Sequence, residues 1–447
     1  MTDYGILLVT PDFPVSTKSK NHKDFIPVGL LKLANYYKSQ GSKIHLSFGK
    51  DPDVPFIPNK ILITSLFTYW SEYVWDCAEF YRKSYPKSKI YVGGIYTSLN
   101  HDTVEFQEKL RKFNAKAFIG QDQNAEKCIP LYSLIGNVDF HVMHATRGCI
   151  RKCSFCGTWK IEPEFKPKSL ENILQEITSV GKNRIVFYDN NLLAHPQIYE
   201  LLDSISKLKV NDRSITCESQ SGFDGRLLTS EMAKSLKKAR FQYPRIAWDG
   251  KYSDCSRIKK QIDLLCNAGY TRKDIFVFMI YNFDIPFEEM ERKRKKGFEW
   301  GVQIVDCRYR PLTQLYDRYK PNAKAGTQTS KDYYIHKSAD WTDEKIRVFR
   351  RNVRKQNIGI RYGGTSKKYI ESLEKRFSPL RSLFKRFGVK ELTPRLDEFD
   401  KSRSWQRRVE LMKKIRNRCE VSRTVVPSLT GLTISRIDKK LEHFAKN

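Results

Sequence analysis

Residues 141–156, HVMHATRGCIRKCSFC, join a strand-like apolar run to a loop that carries three cysteines within eight positions. Cys149, Cys153 and Cys156 have the spacing C-x3-C-x2-C. A zinc site usually takes four ligands from two separated pairs, and a thioredoxin-like redox site needs one C-x2-C pair. Three thiolates on one loop instead favour a cubane iron–sulfur cluster in which one iron has no protein ligand.

From residue 141 onward, the chain repeats one unit, a strand followed by a helix. The repeat length is about 30 residues, the size of one β–loop–α unit. The strand-like runs are HVMHAT (141–146), RIVFYD (184–189), SITCES (214–219), RIAWD (245–249), IFVFMIY (275–281) and VQIVDCRY (302–309). Six such units predict a central partial (β/α)6 barrel over residues 136–330, and a second open sheet is the alternative.

The chain upstream of the loop also alternates strands with helices. YGILLVT (4–10) is apolar throughout, as expected for a strand that is buried on both faces. PVGLLKLANYYKSQG follows with Pro27 at a helix start and Gly41 at a helix stop. Later runs supply four more strands, so residues 1–135 are predicted to form a doubly wound parallel sheet of the flavodoxin-like kind.

The last part of the chain is strongly basic. Residues 331–447 contain 31 Lys and Arg against 14 Asp and Glu, which is +17 of the total net charge of +31. We predict a mainly helical basic region here. Its charge fits a polyanionic partner such as tRNA or another nucleic acid, and a solvated charged surface without a specific partner is the alternative.

The sequence contains no apolar run of 18 or more residues and no signal-peptide pattern at its start. A cytoplasmic protein without a membrane partner is therefore the expectation. In a reducing compartment, clustered cysteines more often serve metal binding or catalysis than disulfide formation.

The cysteine loop resembles that of the radical S-adenosylmethionine (SAM) superfamily. The three cysteines, with Phe155, match the C-x3-C-x-aromatic-C pattern of that family, directly after the first barrel strand. The resemblance implies a 4Fe-4S cluster on Cys149, Cys153 and Cys156 whose open iron chelates the methionine half of SAM. It also implies an electron donor such as ferredoxin or flavodoxin, and cleavage of SAM to a 5′-deoxyadenosyl radical.

The resemblance extends to polar residues at the ends of later barrel strands, which it implies as SAM-binding. In the second unit, Asp-Asn-Asn (189–191) stands where the family often has Gly-Gly-Glu. The residues predicted to bind SAM are Asp189, Asn190, Glu218, Ser219, Gln220, Asp249 and Tyr281, together with Phe155.

The N-terminal part resembles the cobalamin-binding domain that precedes the barrel in one radical SAM class. Ser65, Gly93 and Gly94 match later motifs of that class, where small residues admit the corrin tail. The lower-ligand motif D-x-H-x-x-G is absent. Cobalamin is therefore either bound without a protein histidine or lost.

These features predict an iron–sulfur, metal-binding enzyme of the radical SAM type. It would be a transferase that moves a methyl group, with or without cobalamin, or an enzyme that modifies a substrate through a carbon-centred radical. The alternative function is a nucleic-acid-binding module, such as an RNA-binding protein, with a structural iron–sulfur or zinc site.

Overall fold

The computed structural model describes residues 4–14, 26–136, 138–324 and 326–362. The chain divides into two compact units, the larger of which holds residues 1–294 and 304–351. The predicted domain bounds 1–135, 136–330 and 331–447 stay a prediction, and residues 363–447 of the basic region lie outside the described residues.

The N-terminal part is a five-stranded parallel sheet in the order β2-β1-β3-β4-β5. All six residues of β1 are buried, which explains why its sequence is apolar up to Thr10, its last residue. The strands are β1 Gly5–Thr10, β2 Lys43–Phe48, β3 Lys60–Ser65, β4 Lys89–Gly94 and β5 Ala115–Phe118. The helices are α1 Val28–Ser39, α2 Ser71–Ser84, α3 Ile95–Asn100 and α4 Val104–Lys112.

Aromatic residues build the core on one side of this sheet. The Trp75 ring lies 5.1 Å from Phe106 and 6.0 Å from Phe113, and its indole N–H donates to the Tyr96 hydroxyl at 3.0 Å. Pairing the N–H of a buried tryptophan in this way avoids the cost of a lost hydrogen bond. The predicted α/β organisation with a parallel sheet is confirmed.

The central part contains two further sheets. A four-stranded parallel sheet has the order β13 (Phe241–Gln242), β12 (Thr216–Ser219), β9 (Arg184–Phe187) and β6 (His141–Met143). A three-stranded sheet has the order β14 (Arg245–Ala247), β15 (Phe276–Tyr281) and β16 (Gln303–Arg308), in which β14 and β15 are parallel. A parallel bridge between Phe223 and Ile246 joins a loop of the first sheet to β14. Every strand predicted in this part is present, and the partial barrel stays a prediction.

The remaining elements follow in chain order. The strands are β6 His141–Met143, β7 Thr146–Arg147, β8 Lys166–Pro167, β9 Arg184–Phe187, β10 Lys209–Val210, β11 Arg213–Ser214, β12 Thr216–Ser219, β13 Phe241–Gln242, β14 Arg245–Ala247, β15 Phe276–Tyr281 and β16 Gln303–Arg308. The helices are α5 Thr158–Ile161, α6 Leu170–Val180, α7 Ile198–Lys207, α8 Ser230–Lys238, α9 Cys255–Asn267, α10 Phe287–Glu299 and α11 Asp343–Tyr362. Among the helices of the described ranges, none is long and apolar enough to cross a membrane.

Candidate functional site

The cysteine loop is anchored at its start by Asp189. Because β6 and β9 are neighbours in one parallel sheet, Asp189, two residues after the end of β9, reaches the chain that follows β6. The fully buried Asp189 carboxylate accepts the backbone N–H groups of Ala145 at 3.2 Å and Thr146 at 2.5 Å, and the Thr146 hydroxyl at 2.8 Å. Burial raises the pKa of Asp189 to about 6, against the lowering effect of these hydrogen bonds. This geometry makes Asp189 a positioning residue for the loop, and its contact with SAM stays a prediction.

Gly148 shapes the chain immediately before the first cysteine. Its φ angle is +71°, and a Cβ atom at this position would lie 2.1 Å from the carbonyl oxygen of Glu164. The Gly148 N–H donates to Glu162 at 2.6 Å, and Arg147 pairs with the same carboxylate at 3.1 Å. Only glycine combines this backbone conformation with such a close approach.

Hydrogen-bond donors face two of the three sulfur atoms. The backbone N–H of Arg151 lies 3.4 Å from Cys149 Sγ, and the side-chain amide of Asn191 lies 3.7 Å from the same atom. The backbone N–H of Thr158 lies 3.5 Å from Cys156 Sγ. The Thr158 hydroxyl donates in turn to Asn190 Oδ1 at 3.2 Å, so the structure brings the predicted Asn190 to the cysteine loop.

Asp224 connects the loop to the strand ends around it. Its carboxylate accepts from Arg151 at 2.9 Å, from Arg226 at 2.7 Å and from Asn191 at 3.3 Å. Burial raises the pKa of Asp224, but hydrogen bonds from Arg226 and Arg151 outweigh burial, so the net shift is downward and the group stays ionised. Asn191 is 2% exposed, and among the described residues its Oδ1 atom has no hydrogen-bond partner.

Neither Asp224 nor Asn191 is among the site residues predicted from the sequence. Asn191 adjoins the predicted Asp189 and Asn190, so its place in the Asp-Asn-Asn turn was an available signal. Asp224 follows the predicted Gln220 in the same loop, and no spacing in the sequence distinguishes it from a surface aspartate.

The chemistry of the loop fits an iron–sulfur cluster. N–H groups directed at cysteine sulfur are the donors that stabilise cluster thiolates and tune their potential. Burial raises the pKa of Cys153, and the nearby Cys156 and Asp249 raise it further. Bound iron would lower this pKa, because its positive charge favours the thiolate. Within the described ranges, no three His, Cys, Asp or Glu side chains converge as ligands of one metal ion.

A buried arginine forms hydrogen bonds with both Glu218 and Ser219. Arg245 donates to Glu218 Oε1 at 2.6 Å and to the carbonyl oxygen of Ser219 at 2.9 Å. The Ser219 hydroxyl donates to the Gly222 carbonyl at 3.0 Å. Glu218 and Arg245 are each 4% exposed, and Gln220, the next residue of the turn, is half-buried. The geometry gives this segment a structural role, and its contact with SAM stays a prediction.

Asp249 lies on a turn that a buried lysine holds in place. Lys293 donates to the carbonyl oxygens on either side of it, those of Trp248 at 2.7 Å and Gly250 at 2.8 Å. Burial lowers the pKa of Lys293 to about 8. Burial also raises the pKa of Asp249 to about 6, against the lowering effect of Lys293 and Arg226.

Tyr281 is the last residue of β15, and its surroundings differ from those of Phe155 in the cysteine loop. Tyr281 is 1% exposed, and its ring packs 5.3 Å from Phe349 and 6.1 Å from Trp341. This places Tyr281 in an aromatic core, while its role in SAM binding stays a prediction. Phe155 of the cysteine loop is half-buried and meets the Phe283 ring edge-on at 6.0 Å.

The N-terminal sheet brings Ser65, at the end of β3, next to Gly93 and Gly94, at the end of the neighbouring strand β4. The Ser65 hydroxyl donates to the Gly93 carbonyl at 2.6 Å and accepts the Thr97 N–H at 3.2 Å. A Cβ atom on Gly94 would lie 2.2 Å from the Ser65 carbonyl oxygen, and its φ angle is +94°. The Ser65 backbone therefore fills the space on the Cβ side of Gly94, and the role of these three residues in cobalamin binding stays a prediction.

Two comparisons with known proteins bear on this site. Residues 143–290 match the model of the radical SAM superfamily. The chain also resembles the solved structure of the radical S-adenosylmethionine methyltransferase TsrM from Kitasatospora setae with cobalamin and a [4Fe-4S] cluster bound. That match has 11% identity and a TM-score of 0.53, and it covers 70% of this chain and 77% of that chain. The same enzyme with tryptophan substrate and the SAM analogue aza-SAM bound also matches, at 11% identity and a TM-score of 0.53, covering 70% of this chain and 75% of that chain.

No curated protein sequence matches the chain. At 11% identity, the likeness to TsrM shows a shared fold and no more. The stretch that matches the radical SAM superfamily, residues 143–290, contains the cysteine loop. The comparisons give no support to the alternative of a nucleic-acid-binding module.

Proposed function

We propose that this protein is a radical SAM enzyme that holds a 4Fe-4S cluster on Cys149, Cys153 and Cys156 and cleaves SAM reductively. The observation that carries the proposal is the set of donors around the cysteine sulfurs: the N–H of Arg151 and the amide of Asn191 on Cys149, and the N–H of Thr158 on Cys156. Donors of this kind favour thiolates that are bound to iron.

When bound, the cluster supplies an electron for cleavage of the SAM sulfonium, and this chemistry belongs to the cofactor rather than the protein. The protein binds and orients. Asn191 offers a buried oxygen, without a partner among the described residues, beside Cys149. We assign that oxygen to the ammonium group of SAM, because an ammonium is a donor that a buried carbonyl oxygen can accept.

The reaction that follows is proposed to be a methyl transfer or a carbon-centred radical modification, with ferredoxin or flavodoxin as the electron donor. The first of these is the kind of reaction for which TsrM, the protein of similar fold, is named. Cobalamin binding stays a separate prediction, and no step of this proposal depends on it.

The test is anaerobic reconstitution with iron and sulfide, followed by reduction in the presence of SAM. We expect about four irons per chain and formation of 5′-deoxyadenosine, methylthioadenosine or S-adenosylhomocysteine. Cys149→Ala, Cys153→Ala and Cys156→Ala should each lose the cluster.

The matched control is Cys255→Ala, which removes a half-buried thiol at the start of α9. This variant should keep both iron and SAM cleavage. A wild-type protein that binds a full complement of iron but leaves SAM intact would contradict the proposal and favour a structural cluster.

A further inference from the structure

A row of four charged side chains connects the N-terminal part of the chain to the start of the cysteine loop. Lys32 of α1 pairs with Glu126 at 3.2 Å. Glu126 Oε1 in turn lies 3.6 Å from the Nε atom of Arg147. Arg147 pairs with Glu162 at 3.1 Å. We name Lys32, Glu126, Arg147 and Glu162 the ion-pair chain, in which the sign of the charge alternates from one member to the next.

The ion-pair chain is largely shielded from water. The side chain of Lys32 is 3% exposed, and those of the other three members are between 16% and 21% exposed. Charges at this depth interact through an effective dielectric constant of about 20, against about 80 in water. Each charge of the ion-pair chain therefore acts on its surroundings about four times more strongly than a charge in water would.

The last member of the ion-pair chain holds the backbone of the cysteine loop. Glu162 Oε2 accepts the N–H of Gly148, the residue directly before Cys149, at 2.6 Å. Glu162 Oε1 accepts the side-chain amide of Gln121 at 2.5 Å. Gln121 and Glu126 both follow β5, the last strand of the N-terminal sheet. The N-terminal part therefore supplies side chains that hold the carboxylate beneath the loop.

We propose that the ion-pair chain sets the reduction potential of the 4Fe-4S cluster, so that the N-terminal part contributes to this property through Lys32 and Glu126. The inference rests on the proposed function, because it requires the cluster on the cysteine loop. Members of the ion-pair chain act through the loop and through their charge, so they are positioning residues. The carboxylates disfavour the electron that the cluster accepts from its donor, and the two cationic members favour it.

The charges of the ion-pair chain have a measurable consequence that packing alone does not. The potential of an iron–sulfur cluster depends on nearby charge, on hydrogen bonds to sulfur and on exposure to solvent. A charge about 10 Å from a partly buried redox centre changes the equilibrium constant for one-electron reduction by about tenfold, or about 59 mV. Because the signs alternate, removing neighbouring members should shift the potential in opposite directions. A loosened loop would shift it in one direction only.

The experiment is a potentiometric titration of the reconstituted full-length protein without SAM, in which electron paramagnetic resonance measures the reduced cluster. Glu162→Gln keeps an acceptor oxygen for the Gly148 N–H and removes a negative charge. The equilibrium constant for reduction should rise by about tenfold. Arg147→Gln removes a positive charge and should lower the equilibrium constant by a similar factor.

The same test is made from the N-terminal part, where substitution leaves the loop itself unchanged. Glu126→Gln should raise the equilibrium constant and Lys32→Gln should lower it, each by about two- to fivefold, because these residues are farther from the loop. Glu164→Gln is the matched control, since this carboxylate is 71% exposed and pairs with Lys166 on the surface. Its removal should change the equilibrium constant by about twofold or less.

Opposite shifts in Glu162→Gln and Arg147→Gln support the inference. Shifts of the same sign, or shifts no larger than that of Glu164→Gln, overturn it. If either loop variant binds no cluster, Glu126→Gln and Lys32→Gln decide by the same criterion.

Iron content and SAM cleavage are measured on the same samples. A wild-type protein that binds no cluster refutes the proposed function. A wild-type protein that binds the cluster and cleaves SAM, but whose potential does not respond to these charges, refutes the role of the ion-pair chain alone.

Discussion

Replacing Asp189 should destabilise the protein and release the cysteine loop. Asp189→Ala leaves the N–H groups of Ala145 and Thr146 without their acceptor in a fully buried site. Each unsatisfied buried donor costs about 1–3 kcal/mol, so the free energy of unfolding should fall by about 2–6 kcal/mol. Asp189→Asn keeps one acceptor oxygen and should lose about half as much. Both variants should also bind less iron, because Thr146 lies three residues before Cys149.

The assay is urea unfolding followed by circular dichroism, together with iron analysis after reconstitution. The control is Asp139→Ala, whose side chain is 80% exposed and 3.8 Å from Arg184. An exposed pair of this kind contributes at most about 1 kcal/mol. If Asp189→Ala unfolds within about 1 kcal/mol of the wild type and binds full iron, Asp189 does not position the loop.

Three other predictions concern pH, cobalamin and RNA. Burial raises the pKa of Glu176, but hydrogen bonds from His141 and Lys168 outweigh it and bring the value to about 2. The ionised carboxylate therefore adds about 3 kcal/mol to the free energy of unfolding at pH 7, and this contribution is lost as the pH falls from about 4.5 toward 2. In urea unfolding, Glu176→Gln should be less stable than the wild type by about this amount at pH 7 and by about half of it at pH 3. Hydroxocobalamin mixed with the purified protein should not remain bound after desalting. Retention of one hydroxocobalamin per chain would show that the packing around Ser65 admits the corrin. RNA binding, measured by fluorescence anisotropy, should weaken as the salt concentration rises. A plot of log affinity against log salt concentration should fall with a slope of about 0.7 to 0.9 for each phosphate contacted. Removing residues 363–447 should flatten that slope, and an unchanged slope would exclude this segment as the binding region.

The alternation of strands and helices was predictable from the sequence because it depends on local patterns. A strand such as β1 is buried on both faces and is therefore apolar at nearly every position, whatever else the chain does. The cysteine loop was predictable for the same reason. Three thiols within eight residues lie close to one another in any fold.

The place of each polar residue at the ends of the strands was not predictable to the same extent. The sequence places Glu218 at a strand end but does not show that Arg245, 27 positions later, occupies its carboxylate. It places Tyr281 at the end of β15 without showing that the ring lies in a core with Phe349. In each case the partner comes from a distant part of the chain, and the cost of burying a polar or charged group selects that partner.

The sequence by itself determined the kinds of element, their order and the three cysteines, because these depend on neighbours along the chain. Only the tertiary structure decided which side chains surround the sulfur atoms and which are taken up by the fold. Asn191 and Asp224 are 33 residues apart, yet they share one hydrogen bond beside Cys149. Asn282 holds His336 across 54 positions. Tertiary packing brings such residues together, and no periodicity in the sequence records which residues meet.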